Sequence, residues 1–282
     1  MIDIKNLILG AAFGYQWSDL KIFIKSLRKF SNCRVILIFG NKLDKKNKDK
    51  LRFYKIEHYI YKRKNSMRVP GLINSKSDVG QRRYEMYEYI LKKIKKKPKK
   101  VLLTDTRDVV FQDDLFKNNF HKPINFFLEN ERIINDSRNS RWLKRTVGKD
   151  KYDEIKKKKI SCSGTTLGNY NQIIKYSNLM NKHLLLYPYK RPVRHLIIFK
   201  KIEPYDQGIH NYLIYNNFFK DMQLHENEFS KICTTAYMKK FSIDKKGQLR
   251  NKKNQLYSLI HQYDRSFNKK GIPIFNFKKL YE

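Results

Sequence analysis

Within the first forty residues an apolar run, a helical pattern and a second apolar run follow one another with little room for turns. Residues 6–14 read as a buried strand that runs into a glycine-containing loop. Ser18 offers an N-cap to a helix that sets Leu20, Phe23, Ile24 and Leu27 on one face. Residues 35–39 form another buried run, closed by Gly40. Two buried strands joined by one helical crossover pair in parallel, so the chain is predicted to adopt an α/β fold with a mainly parallel open sheet flanked by helices.

The pattern continues downstream. Residues 56–61 suit a third strand. After a loop with Pro70 and Gly71, Asp78 opens a helix that carries Tyr84, Tyr87, Ile90 and Leu91 at helical spacing and reaches Lys93. Pro98 bars its continuation. A short buried strand at 101–103 then meets the acidic turn Thr104-Asp105-Thr106-Arg107-Asp108, followed by Val109-Val110-Phe111. The second half is less regular: a strand at 124–128, a small-residue strand or loop at 161–167, a helix at 171–186, a helix capped by Asp206, and an apolar stretch at 257–261. No repeat and no linker rich in Pro, Gly or Ser divides the chain. A single compact domain over 1–282 is therefore expected, with a nucleotide half at 1–115 and a second half at 116–282 packed against it.

Charge narrows the partners. Lys and Arg number 62 against 26 Asp and Glu, a formal +36, and such a field concentrates anions. The lysine runs at 45–46, 95–97 and 156–159 fall between apolar segments, where solvated turns and helix ends belong. An anionic partner selected by that charge is the other reading. No zinc-finger spacing, RNP-type aromatic pattern or basic zipper accompanies it, which makes nucleic acid an unlikely partner. The N-terminal apolar stretch, residues 7–13, follows Asp3 and is too short for a membrane span or a secretory signal, so a cytoplasmic protein is expected. Three well-separated cysteines, Cys33, Cys162 and Cys233, fit reduced thiols better than a disulfide framework.

Chemistry concentrates at the acidic turn. Asp105 and Asp108 follow a central strand of the expected sheet, where such folds bind ligands. Paired carboxylates there suit Mg²⁺ or Mn²⁺ shared with substrate phosphates. The plainer alternative is a turn cap and an ion pair with Arg107 or a lysine.

The stretch from Val101 to Gln112 resembles the DxD segment of GT-A fold glycosyltransferases, which use nucleotide-sugar donors. Upstream, Arg83-Tyr84-Glu85-Met86-Tyr87 is similar to the helix preceding that strand in retaining galactosyltransferase-like members, whose arginine reaches the donor. Ser163-Gly164 resembles the small-residue segment beside the sugar, Asp206-Gln207 the start of the D-Q-x-x-x-N helix, and His261 the C-terminal third metal ligand. The resemblance implies a metal-dependent transferase moving a hexose or pentose from a nucleotide diphosphate sugar to a glycan or glycoprotein hydroxyl. It implies Mn²⁺ or Mg²⁺ at Asp105, Asp108 and His261, and donor contacts from Arg83, Asp105, Ser163 and Gly164. Asp206 and Gln207 would lie beneath the sugar, with Asp206 as base should the reaction invert; the resemblance leans towards retention. One departure stands out: two residues separate the aspartates, so Thr106 occupies the place of the first acid if Val109-Val110-Phe111 sets the alignment. The rival reading is a basic nucleic-acid-binding protein or metal-dependent nuclease, which leaves the Asp206 and His261 segments unexplained.

Overall fold

The computed structural model describes residues 2–61, 77–186 and 206–265, together with Phe277 and Tyr281. The loop with Pro70 and Gly71 and the side chain of Asp78 lie outside the described residues. The opening segment folds as its pattern requires: β1 (Asp3–Ala11), α1 (Trp17–Phe30) and β2 (Cys33–Phe39), with Ile8 opposite Val35 and Ala11 opposite Ile38 in a parallel ladder. The N-cap differs from expectation. Gln16 holds it, and the Asp19 carboxylate accepts from the Gln16 N–H at 2.9 Å, which leaves Ser18 inside the first turn. α2 (Lys45–Phe53), capped by Asp44, leads to β3 (Glu57–Ile60).

α3 (Ser77–Lys93) precedes β4 (Lys100–Thr104) and β5 (Val109–Phe111). Then come β6 (Ile124–Arg132), α4 (Ser137–Val147), α5 (Lys149–Ile155), β7 (Lys159–Asn169) and α6 (Tyr170–Leu186). α7 (Asp206–Tyr215), β8 (Met222–His225), β9 (Ile232–Thr234), β10 (Ser242–Ile243), β11 (Leu249–Arg250) and β12 (Leu259–His261) complete the described elements. α4 has no strong apolar stripe in sequence because it buries Asn139, Ser140 and Thr146 beside Leu143.

Seven strands form one sheet in the order β3-β2-β1-β4-β7-β6-β8, with β4 at its centre. Its strands run parallel except β7, which is antiparallel to both β4 and β6. The expected α/β architecture is thus present. Successive side chains of a strand point to opposite faces. Leu7, Leu9, Val101 and Leu103 pack with α3, α6 and α7 on one side, whereas Ile8, Val35, Leu37 and Leu102 pack with α1 on the other. A second, three-stranded sheet in the order β5-β12-β9 is antiparallel between β5 and β12 and parallel between β12 and β9. The 95–97 lysines lie exposed ahead of β4, at the end of that strand away from the acidic turn. Among the described residues no helix is long and apolar enough to cross a membrane.

One buried side chain fixes α7 to the sheet. Asn211 accepts from the Ser161 N–H at 2.8 Å and donates to the Ser161 carbonyl at 3.0 Å and the Gln207 carbonyl at 2.8 Å. Its replacement leaves buried backbone groups without partners, each costing on the order of 1–3 kcal/mol. Asn211→Ala is expected to lose about 3 kcal/mol in denaturant unfolding. A loss below about 0.5 kcal/mol would show that α7 does not depend on this clamp.

Candidate active site

Two strand registers assemble the site. In the first, β4 pairs with β7 so that Thr104 faces Thr165, and the Asp105 N–H continues the ladder by donating to the Gly164 carbonyl at 2.8 Å. In the second, β12 pairs with β5 so that His261 faces Val109, the neighbour of Asp108. The turn at 105–108 joins β4 of the large sheet to β5 of the small one, and both carboxylates reach the same imidazole. His261 Nε2 lies 3.2 Å from Asp105 Oδ2 and 3.7 Å from Asp108 Oδ1. One ligand atom from each of the three residues falls within 4.8 Å of the others.

Thr106 takes no part in this cluster. Its hydroxyl donates to the Ala11 carbonyl at 2.9 Å and its methyl faces Gly10, where an added Cβ would come within 2.3 Å. The extra residue between the aspartates is thus spent on anchoring the turn to β1, and Asp105 reaches the cluster from one position earlier than a D-x-D spacing would place it. Gly164 is required by close approach: a Cβ there would stand 2.4 Å from His261 Cε1 and 2.7 Å from Asp105 Oδ2. Immediately after His261, Gln262 adopts a left-handed backbone (φ 61°) while its N–H donates to the Asp108 carbonyl at 2.7 Å. This conformation costs a non-glycine residue about 1 kcal/mol and is held by the pairing around it.

Arg83 forms the other wall. α3 buries Tyr84, Tyr87, Ile90 and Leu91 against the sheet, and the same face directs the guanidinium inward. Nη1 meets Asp105 Oδ1 at 2.7 Å, and Nη2 meets Asp206 Oδ2 at 2.6 Å and donates to the Ser163 carbonyl and hydroxyl at 3.1 and 3.0 Å. Gln207 accepts from the Ser163 N–H at 2.9 Å and from its hydroxyl at 3.0 Å. The structure therefore brings Arg83, Asp105, Asp108, Ser163, Gly164, Asp206, Gln207 and His261 into one contiguous network. Asp206 is not free within it, because its other oxygen accepts from the Gln207 N–H at 2.9 Å.

The charges follow from that packing. Burial opposes ionisation of Asp105, but the Arg83 guanidinium and the His261 imidazole outweigh it and hold the carboxyl below the usual range. Burial raises Asp108; the nearby Asp105 adds to this and His261 counters it. Asp206 is also raised by burial, against the pull of Arg83. Burial works against a charged His261, yet the Cys162 sulfur at 3.6 Å and the Asp108 and Asp105 carboxylates push it well up. In a chain of formal charge +36, this pocket draws in positive charge.

One residue of the site escaped sequence reasoning. Glu129, buried on β6, lies beside Cys162, whose sulfur in turn lies against His261. A single carboxylate closing the apolar run of β6 is the only sequence signal it gives. Burial pushes its carboxyl up from 4.5 to about 7. The folded state thus holds this proton more tightly than the unfolded chain, so stability is lost as pH rises from 4.5 to about 7 and the loss stays constant above. At 1.36 kcal/mol per unit that is about 3 kcal/mol. Glu129→Gln, neutral throughout, is expected to gain that much on the wild type across this interval in metal-free unfolding experiments. A stability difference independent of pH would place an ionised Glu129 in the fold.

No protein-family model matches the sequence. No curated protein matches it either. Among solved structures, the galactosyltransferase LgtC, determined in complex with donor and acceptor sugar analogues, matches with a TM-score of 0.58 at 15% identity. The match covers 98% of this chain and 95% of that one. The described residues therefore have the GT-A glycosyltransferase fold.

Proposed function

We propose that the protein is a metal-dependent glycosyltransferase that moves a sugar from a nucleotide diphosphate sugar to a hydroxyl of a glycan or glycoprotein. The observation that carries this reading is the convergence of Asp105, Asp108 and His261 at the end of the central strand of a GT-A sheet. Two carboxylates and an imidazole suit Mn²⁺ or Mg²⁺. The donor set fits such an ion, and Gly164 keeps clear the space that any side chain there would fill. A divalent cation at these residues supplies positive charge against that developing on the leaving diphosphate.

The remaining roles belong to the chain itself. Arg83 holds Asp105 by one oxygen, so that the other faces His261, and fixes Asp206 and Ser163 in the same grip. Both Asp206 oxygens are engaged, which suits a positioning group better than a base. Gln207 spends its amide oxygen on Ser163 and retains its NH₂ group to donate to the donor sugar. With Asp206 tethered, the leaving diphosphate is the group that takes the acceptor proton, and the reaction retains configuration. Arg83 and the cluster preorganise charge around the phosphates before chemistry begins.

The test is hydrolysis and transfer across a panel of uridine and guanosine diphosphate sugars with Mn²⁺, beside a single-stranded oligonucleotide. At least one donor is expected to turn over, and Asp108→Asn should lower that turnover by a hundredfold or more while the thermal midpoint is kept. Cleavage of the oligonucleotide, lost in Asp108→Asn, with every nucleotide sugar left intact would establish the nuclease reading instead.

A further inference from the structure

A cavity of about 900 Å³ opens where β6 and the segment after β9 diverge, lined among others by Asn130, Tyr237, Lys239, Lys240, Phe241 and Tyr257. Both of its walls are built from segments that adjoin the candidate active site along the chain. On one side Asn130 follows Glu129, the carboxyl behind Cys162 and His261. On the other, Thr235 donates its N–H to the His261 carbonyl at 3.0 Å and its hydroxyl to the Gln262 carbonyl at 2.7 Å, and Tyr237 to Phe241 follow directly. The Tyr237 hydroxyl donates to Asp136 Oδ2 at 2.7 Å, which fixes the start of this wall against the N-terminus of α4.

The charges around the cavity are not balanced. Lys159, Arg250 and Lys252 also line it, but each has its own carboxylate in Glu226, Asp244 and Glu228. Lys239 and Lys240 have no carboxylate within ion-pair distance among the described residues. Glu131 feels the field of Lys239, but its carboxylate is bonded to the Asn135 amide and the Arg132 N–H. Two unpaired cations therefore flank a cavity walled by two half-buried aromatic rings, Tyr237 and Phe241, a combination of apolar faces with a few charged groups that suits a specific ligand.

We propose that this cavity is the acceptor groove and that it takes a glycan bearing an anionic substituent, a phosphate or a carboxylate, seated against Lys239 and Lys240. The aromatic faces of Tyr237 and Phe241 cover the sugar rings, and the two ammonium groups select the charge. The role as acceptor groove rests on the glycosyltransferase reading above; the preference for an anionic sugar does not.

Calorimetry with lactose, lactose 6-phosphate and digalacturonate tests it at fixed ionic strength, on the wild type, on the Lys239→Gln/Lys240→Gln double variant, and on a Lys45→Gln/Lys46→Gln control. The control removes the same charge from exposed α2, beside the β3 edge of the sheet. At least one charged sugar is expected to bind tenfold or more tightly than lactose, with the phosphate and carboxylate arms showing which group is read. The double variant should lose that advantage and the control should keep it. Equal affinity for neutral and charged sugars, or an equal loss in both variants, overturns the proposal. So does a single-stranded oligonucleotide that binds more tightly than either charged sugar and depends on Lys239 and Lys240. Donor hydrolysis by the wild type, measured separately, tells the two failures apart: hydrolysis without anion preference removes the acceptor class alone, whereas anion preference without turnover of any donor removes the role as acceptor groove together with the enzymatic reading.

Discussion

The pairing of β12 with β5 is the constraint on which the site depends. Before that pairing, the acidic turn is only the end of a strand, with two carboxylates three positions apart in an otherwise basic chain. The antiparallel register sets His261 opposite Val109 and so beside Asp108, more than 150 residues away in sequence. A slip by one residue would send every side chain of β12 to the opposite face and put Ile260 or Gln262 in the place of His261 opposite Val109. The surrounding bonds guard against it: Gln112 grips the 249–257 loop through the Leu249 and Tyr257 carbonyls and the Leu249 N–H, and Gln262 accepts a left-handed backbone to bond the Asp108 carbonyl.

Electrostatics explains why so many polar groups are buried together. Asp206 and Arg83 leave water together, with Asp105 35% exposed beside them, and each carboxylate has a guanidinium nitrogen at 2.6–2.7 Å. Taking one member away leaves an unpaired charge in the interior, a loss of about 3–5 kcal/mol in comparable buried pairs. Asp108 is satisfied less completely. Its partner Arg265 at 3.2 Å is half exposed, and its other neighbour of like charge is Asp105. Asp108 is thus the carboxylate of the cluster that a cationic ligand relieves most.

Much of the fold was legible because strand and helix periods are strong in the first half. The parallel ladder of β1 and β2, the inward face of α3 and the central place of β4 all follow from apolar spacing. The site was legible through a resemblance and less through the residues alone. Nothing local to Asp105 announces that Thr106 turns back to β1, because that depends on the close approach that Gly10 permits. The buried ion pair of Arg83 with Asp206 spans more than 120 residues, and no periodicity reports such a distance. α4 hid because its buried face is largely polar, and Glu129 hid because a lone carboxylate in a strand looks like any strand end. The lysine runs at 95–97 and 45–46 were read as solvated surface and lie exposed, whereas the lysines that matter to the cavity, Lys239 and Lys240, belong to no run that stood out.

The central claim is that Asp105, Asp108 and His261 form a single site where a divalent cation and a diphosphate meet. Its most direct test is the thermodynamic coupling between the two ligands: Mn²⁺ is titrated by calorimetry into the wild type and into His261→Ala, each with and without uridine diphosphate. Coupling through one shared site is reciprocal, so either ligand should tighten the other by the same factor. In the wild type that factor is expected to be tenfold or more, and in His261→Ala it should fall to near unity in protein that remains folded. Unchanged Mn²⁺ affinity and undiminished coupling in a folded His261→Ala variant would contradict the claim.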